Sequence, residues 1–312
     1  SITDAAADNP YTVFVAPGRY AETVTMQPYV SLIGASRDST TISAPGGIFP
    51  FATVTTAANA ELTAVAIQNT GGMNKAAIGV YVPPGANTTI HNVAIQTQDG
   101  GHSADAVVYI DAASPNIYDT TLVATNNSPT NGIIITPNSS PSITDSYISL
   151  EDSASANCGI CVTNSGGSYI SDLRIDISMT SGGNPVGISS LGADSSMPLT
   201  IYNTNITVSD GNIATGVYAG DSNVNMVNVN IDVSGATINY GIRGLSSGPA
   251  KTIQVDHCVV RATTNAYYGD AEYTALIGET KLLGGPVNKN GGTATCAGVY
   301  DEAFVFYTNS CP

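Results

Sequence analysis

Seven short phrases recur through the middle of the chain at nearly constant spacing, and this repeat limits the possible folds more than any other feature. They read IGVYV from Ile78, AVVYI from Ala106, NGIII from Asn131, CGICV from Cys158, VGISS from Val186, TGVYA from Thr215 and YGIRG from Tyr240. Their second residues fall at 79, 107, 132, 159, 187, 216 and 241, so the steps are 28, 25, 27, 28, 29 and 25 residues. A second phrase follows each one: IHNVAI from Ile90, IYDTTL from Ile117, ITDSYI from Ile143, ISDLRI from Ile170, IYNTNI from Ile201, MVNVNI from Met226 and VDHCVV from Val255. Its third place is Asn92, Asp119, Asp145, Asp172, Asn203, Asn228 and then His257.

The runs are short, β-branched, alternate with period two and end in Gly, Asn, Ser or Pro, which are strand signatures. Strands recurring at this period without intervening helices predict an all-β chain, a single right-handed parallel β-helix in which each repeat is one coil. At about 27 residues each, the chain holds about 10–11 coils. Coils stack about 4.8 Å apart. The Asx column from Asn92 to Asn228 stacks as a structural ladder at a bend, bonding to backbone and to itself. Residues 1–290 are assigned to the solenoid and 291–312 to a C-terminal capping segment. The first residues, SITDAAADNP, read as a short helical turn, and a processed mature form would explain a start at Ser1.

The opening coil, VFVAPGRYAETVTMQPYVSLIGAS, carries Gly18-x-Tyr20-x-Glu22 and then Leu32-Ile33-Gly34. On these residues and the repeat, the chain resembles the pectin-lyase-like superfamily of right-handed β-helices, and the first coil resembles pectin methylesterases. The resemblance implies the fold; carbohydrate chemistry needs residues of its own. The esterase set of two Asp with flanking Gln and an Arg-Pro-Trp stretch is missing, because the chain has no Trp. Gln96, Gln98 and Asp99 are its nearest fragment and read as a polar turn. The polygalacturonase set is reduced to His102 and Asp105. The basic residues Arg174, Arg243 and Arg261 are scattered, as the lyase chemistry would not allow. No catalytic residue is therefore assigned.

Composition supports an extracellular, surface-exposed protein. Nine Lys and Arg face 24 Asp and Glu, a net charge of −15 that disfavours nucleic acid and anionic membranes. No apolar run approaches the roughly 20 residues of a membrane-spanning helix. N-x-S/T sequons begin at Asn87, Asn126, Asn138 and Asn205. No cofactor is expected. Calcium is the one cation considered, with Asp99, Asp105 and Asp111, or Glu151 and Asp152, as its candidate ligands. His91, His102 and His257 fall on separate coils or faces, which argues against a histidine metal site.

Five Cys leave at least one thiol unpaired. Cys296 and Cys311 bracket the terminal segment and are expected to form a disulfide, which suits an oxidising compartment. Cys258 reads as a buried thiol. For Cys158 and Cys161, strict alternation places Cys158 inward with Ile160 and Cys161 outward, so neither a shared metal nor a mutual disulfide is expected. The same alternation sets Tyr81, Tyr109, Ile134, Cys161, Ser189, Tyr218 and Arg243 in one outward column. Tyr81, Tyr109, Ile134, Cys161 and Tyr218 are its candidate assembly or ligand face. Two readings stay open: a non-catalytic structural or adhesive subunit that self-associates in a filament, sheath, surface layer or spike, and a diverged carbohydrate-active enzyme or glycan-binding module.

Overall fold

The computed structural model describes residues 2–72, 74–98, 101, 105–125, 131–151, 158–164, 167–179, 182–192, 197–308 and 310–312. Among them the chain is all-β, and its strands stack into a parallel solenoid. The N-terminal residues form no helix. Ala6 and Asn9 exchange backbone bonds in a tight turn, which Asp4 braces by accepting from Asn9 and from the Tyr11 hydroxyl. Asp, Asn and Pro in this segment serve the turn rather than a helical repeat.

The coils present three faces, sheets I, II and III, the first two being parts of one continuous sheet in which Thr89–Gln98 and Asn116–Thr125 run through both. Sheet I contains Val30–Gly34, Glu61–Thr63, Ser142–Thr144 and their successors. Sheet II contains Thr40–Ala44, Ala66–Asn69, Tyr147–Glu151 and their successors. Sheet III is an 11-stranded stack that includes Ile78–Val82, Ala106–Ile110 and Cys158–Thr163. Parallel pairing continues past residue 290, through Thr293–Ala297 and Val299–Tyr300. The antiparallel pair of Val299–Tyr300 with Phe306–Tyr307 and the Cys296–Cys311 disulfide finish the chain.

Like side chains stack on like. Leu62, Ile90, Ile117, Ile143, Ile170, Ile201, Met226 and Val255 form one fully buried inward column of sheet I. Burying each such side chain contributes about 1.5–3 kcal/mol, and no coil gains it without its neighbours.

The Asx column has a backbone cause. Between sheets I and II the chain turns on one residue with positive φ: 51° at Asn92, 48° at Asp119, 47° at Asp145, 56° at Asp172, 45° at Asn203, 56° at Asn228 and 51° at His257. Asn and Asp tolerate this left-handed conformation better than other side chains. The ladder bonds are also present in part, Asn228 donating to Asn203 at 2.8 Å and Asn203 to Asp172 at 3.2 Å. The following position is buried, and in several coils its hydroxyl or thiol turns back to the carbonyl two residues earlier. Thr204 does so at 2.7 Å, Thr280 at 2.6 Å and Cys258 at 3.1 Å. Cys258 is thus a buried member of a hydroxyl column, and burial pushes its thiol up to about 11. In the first coil Tyr20 packs on Gly18 and donates to the Ala16 carbonyl, so the Gly-x-Tyr motif closes a turn.

Candidate functional site

The outward face of sheet III gathers the aromatic and sulfur side chains, and a repeated bulge determines which residues reach it. A Cβ built on Gly79, Gly132, Gly159, Gly187 or Gly216 would lie 2.2–2.7 Å from an isoleucine Cγ2 of sheet II, inside the core. The next residue of each strand, Val80, Ile133, Ile160, Ile188 or Val217, is also in the core. Where the Gly is replaced, both residues of the pair are core: Val107 with Val108, and Ala266 with Tyr267. Two consecutive inward residues break the period of two, as a bulge does. The flanking residues, three apart, therefore both point outward.

This corrects the facing expected for Cys158. The bulge at Gly159–Ile160 sends it outward, on the same side of the strand as Cys161. Cys161 also donates to Asn131 Oδ1 at 3.2 Å. Burial, then Cys158, pushes the Cys161 thiol well above its ordinary value. Both cysteines, like Cys258, are free thiols.

Tyr81, Tyr109, Ile134, Cys161, Ser189, Tyr218, Arg243 and Tyr268 follow one another in register up this face. Its N-terminal end is covered within the chain. Residues 46–52 fold over it, tied by paired backbone bonds between Gly47 and Ala76. Phe49 meets Tyr109 edge-on at 5.2 Å, and Tyr109 lies 6.0 Å from Tyr81. Tyr81 is left 9% exposed and donates to Asp111 at 2.8 Å. Burial first and Asp111 second raise its pKa; burial, then Asp111, raises that of Tyr109.

The C-terminal end is open. Arg243 lies 4.9 Å from the Tyr240 ring centroid and 5.9 Å from that of Tyr218, within cation–π range. Tyr240 and Tyr268 are 5.4 Å apart, and the Tyr268 hydroxyl accepts from Asn290 at 2.8 Å. Arg243 Nε is buried without a hydrogen-bond partner, and no carboxylate among the described residues pairs with the guanidinium. Beside Tyr218 runs a groove of about 450 Å³ lined by Asn164, Leu191, Asp221, Ser246 and Asp270. Its two carboxylates build the turns. Asp221 accepts from the Ser246 hydroxyl at 2.7 Å and the backbone N–H groups of Ser247 and Gly248 at 2.8 and 3.2 Å; the Ser246 bond leads in holding its carboxyl below the usual range. Asp270 accepts from the N–H of Ser246 at 2.7 Å. A general acid needs the opposite displacement.

The other candidates scatter. Asp105 is fully buried and accepts from the Ala77 N–H, and Asp111 is engaged by Tyr81 and Thr136. Asp99, His102, Asp152 and the Asn126 sequon lie outside the described residues. Among the described residues no three His, Cys, Asp or Glu side chains converge as a metal site. His91 pairs with Glu61 at 2.6 Å and stacks on Tyr118, while His257 meets Asp256 and Glu279 at the bend. Arg174 pairs with Asp176 at 2.7 Å, and Arg261 lies 3.9 Å from Asp232. Tyr240, Tyr268, Phe49 and the outward Cys158 were not singled out from sequence. The Val107–Val108 pair, apolar at both places, was the signal for the bulge that turns Tyr240 and Cys158 outward.

No family model matches the sequence, and no curated protein matches it. Solved structures do. The A-module of the mannuronan C-5 epimerase AlgE6 of Azotobacter vinelandii superposes with a TM-score of 0.54 at 15% identity, covering 96% of this chain and 83% of that one. The catalytic domain of a GH87 α-1,3-glucanase gives 0.55 at 12% identity, covering 93% and 62%. The chain shares the right-handed parallel β-helix fold of these structures. A pectin methylesterase from Yersinia enterocolitica reaches 0.49 at 15% identity, over 79% and 92%. At these identities the likeness concerns the fold of the β-helix alone.

Proposed function

We propose that this β-helix is a non-catalytic, extracellular structural or adhesive subunit of a surface assembly, with the open end of the sheet III face as its contact surface. The observation that carries the reading is the cluster of Tyr218, Arg243, Tyr240 and Tyr268, outward-facing and built around an arginine that pairs with no carboxylate among the described residues. Tyrosine and arginine are the residues in which the centres of protein interfaces are enriched. The carboxylates of the adjoining groove among the described residues, Asp221 and Asp270, are taken up by the turns at Ser246 and Ser247. The Cys296–Cys311 disulfide suits a secreted protein. The partner in this reading is a second copy of the chain.

Sedimentation velocity and negative-stain imaging of the purified chain test it. Oligomers or filaments are expected, dispersed by Arg243→Glu and by Tyr218→Ala with Tyr268→Ala while the β-signature in circular dichroism persists. A wild-type chain that stays monomeric at high concentration refutes it.

The groove beside Tyr218 favours a second reading, a glycan-binding module, since an aromatic ring flanked by Asn, Ser and Asp suits a sugar's apolar face and hydroxyls. The similar structures named above include an epimerase of mannuronan and a glucanase. Glycan-array binding by a monomeric chain, lost in Tyr218→Ala, would select this reading; release of shortened or altered sugar would select a diverged enzyme.

A further inference from the structure

We propose that Cys158 and Cys161 form a two-thiolate site for one soft, thiophilic cation of closed d10 shell on the outer face of sheet III. Three observations converge. The bulge at Gly159–Ile160 turns both side chains to one side, so residues three apart in one strand share a face. Cys158 is near enough to act on the Cys161 thiol, and Asn131 Oδ1 stands 3.2 Å from Cys161 Sγ. Cys158 is 7% exposed and pairs in register with Val186, while Cys161 lies in register between Ile134 and Ser189.

The donor set decides the class of ion. Thiolate is a soft ligand and selects soft cations over magnesium or calcium. Zinc in a structural site takes four ligands, and among the described residues no third Cys, His, Asp or Glu joins this pair. Two thiolates satisfy a monovalent d10 ion such as Cu(I) or Ag(I), and metallation gives up the S–H bond that Cys161 donates to Asn131 Oδ1. An internal disulfide is the competing outcome. Three steps along a strand place Cα atoms up to roughly 10 Å apart, and even a bulge must shorten this greatly to reach the under-7 Å span a disulfide needs. A cation between the sulfurs adds its own length and removes that constraint. Binding replaces both thiol protons: two S–H bonds break, two sulfur–metal bonds form, two protons leave, and no oxidation occurs.

The test uses the full chain with Cys296–Cys311 intact, titrated with Ag(I) as an air-stable probe and followed by native mass spectrometry and by alkylation of individual cysteines. One equivalent should bind per chain and protect Cys158 and Cys161 together. Cys158→Ser or Cys161→Ser should each weaken binding at least 100-fold, and Cys258→Ser should leave it unchanged. The proposal fails if the wild type binds no equivalent, if either single variant keeps tight binding, if Cys258→Ser abolishes it, or if non-reducing peptide mapping finds Cys158 and Cys161 already joined. Far-ultraviolet circular dichroism of each variant separates loss of the site from loss of the fold.

Discussion

Gly216→Ala is a minimal substitution whose cost follows directly from the coil geometry. The added Cβ would lie 2.2 Å from Ile231 Cγ2 and 2.6 Å from the Gly241 carbonyl oxygen. The backbone at Gly216 is not left-handed, so the penalty is steric crowding alone. Overpacking of this kind costs about 1–3 kcal/mol. The β-helix also contains its own remedy. Val107 and Ala266 occupy the same place in their coils, and the sheet II register opposite them holds Leu122 and Leu282, which lack a branched Cβ. The glycines face Ile95, Ile148, Ile175, Ile206, Ile231 and Val260. Ile231→Leu alone should cost under about 1.5 kcal/mol as a volume-conserving change. Combined with Gly216→Ala it should recover about 1 kcal/mol of the summed loss, the size of coupling that touching residues show. Urea unfolding followed by circular dichroism and by tyrosine fluorescence gives the four free energies, and coincidence of the two probes licenses the two-state treatment. A Gly216→Ala chain within about 0.5 kcal/mol of the parent, or strict additivity in the cycle, refutes the bulge argument.

Replacing Cys296 and Cys311 by Ser should cost about 3 kcal/mol from the loop of 15 residues they close, read as a lower urea midpoint for the C-terminal coils. Asn203→Ala should cost about 1–2 kcal/mol for an alanine held at positive φ, and Asn203→Gly less than half of that, both read by urea unfolding. Equal losses in the two variants would place the whole effect in the side-chain bonds. Asp221 has a carboxyl held below its unfolded value, so its stabilisation is present above roughly pH 4 and is lost as pH falls through the lower folded-state value. Asp221→Asn should remove that acid-side dependence and raise amide exchange at Ser247 and Gly248; an unchanged acid limb counts against it.

The coil repeat was legible because its two physical demands recur every turn: an apolar inward column, and a left-handed residue at the bend, which Asn and Asp supply. The facing of Cys158 was not, because alternation along a strand carries no sign of a bulge unless Gly is replaced, as at Val107–Val108. The cover over Tyr81 was hidden for a different reason. Residues 46–52 lie outside the repeat, and their contact with Tyr109 is tertiary. Tyr240 stands just before a repeated Gly, where strict alternation would have turned it inward. At the N-terminus, local composition suggested a helical turn, and backbone bonds between Ala6 and Asn9 prevailed.

The disulfide also fixes how the chain carries load. The hydrogen bonds between coils run along the solenoid axis. Tension along that axis opens coils in sequence from an end, each freed coil adding about 90 Å of contour at ~3.4 Å per residue. Force entering at the C-terminus passes from Cys311 to Cys296 and reaches the strand Thr293–Ala297 without straightening the segment between. That strand is hydrogen-bonded along its whole length to Thr274–Gly278, so the first element to yield is a coil and not the terminal loop.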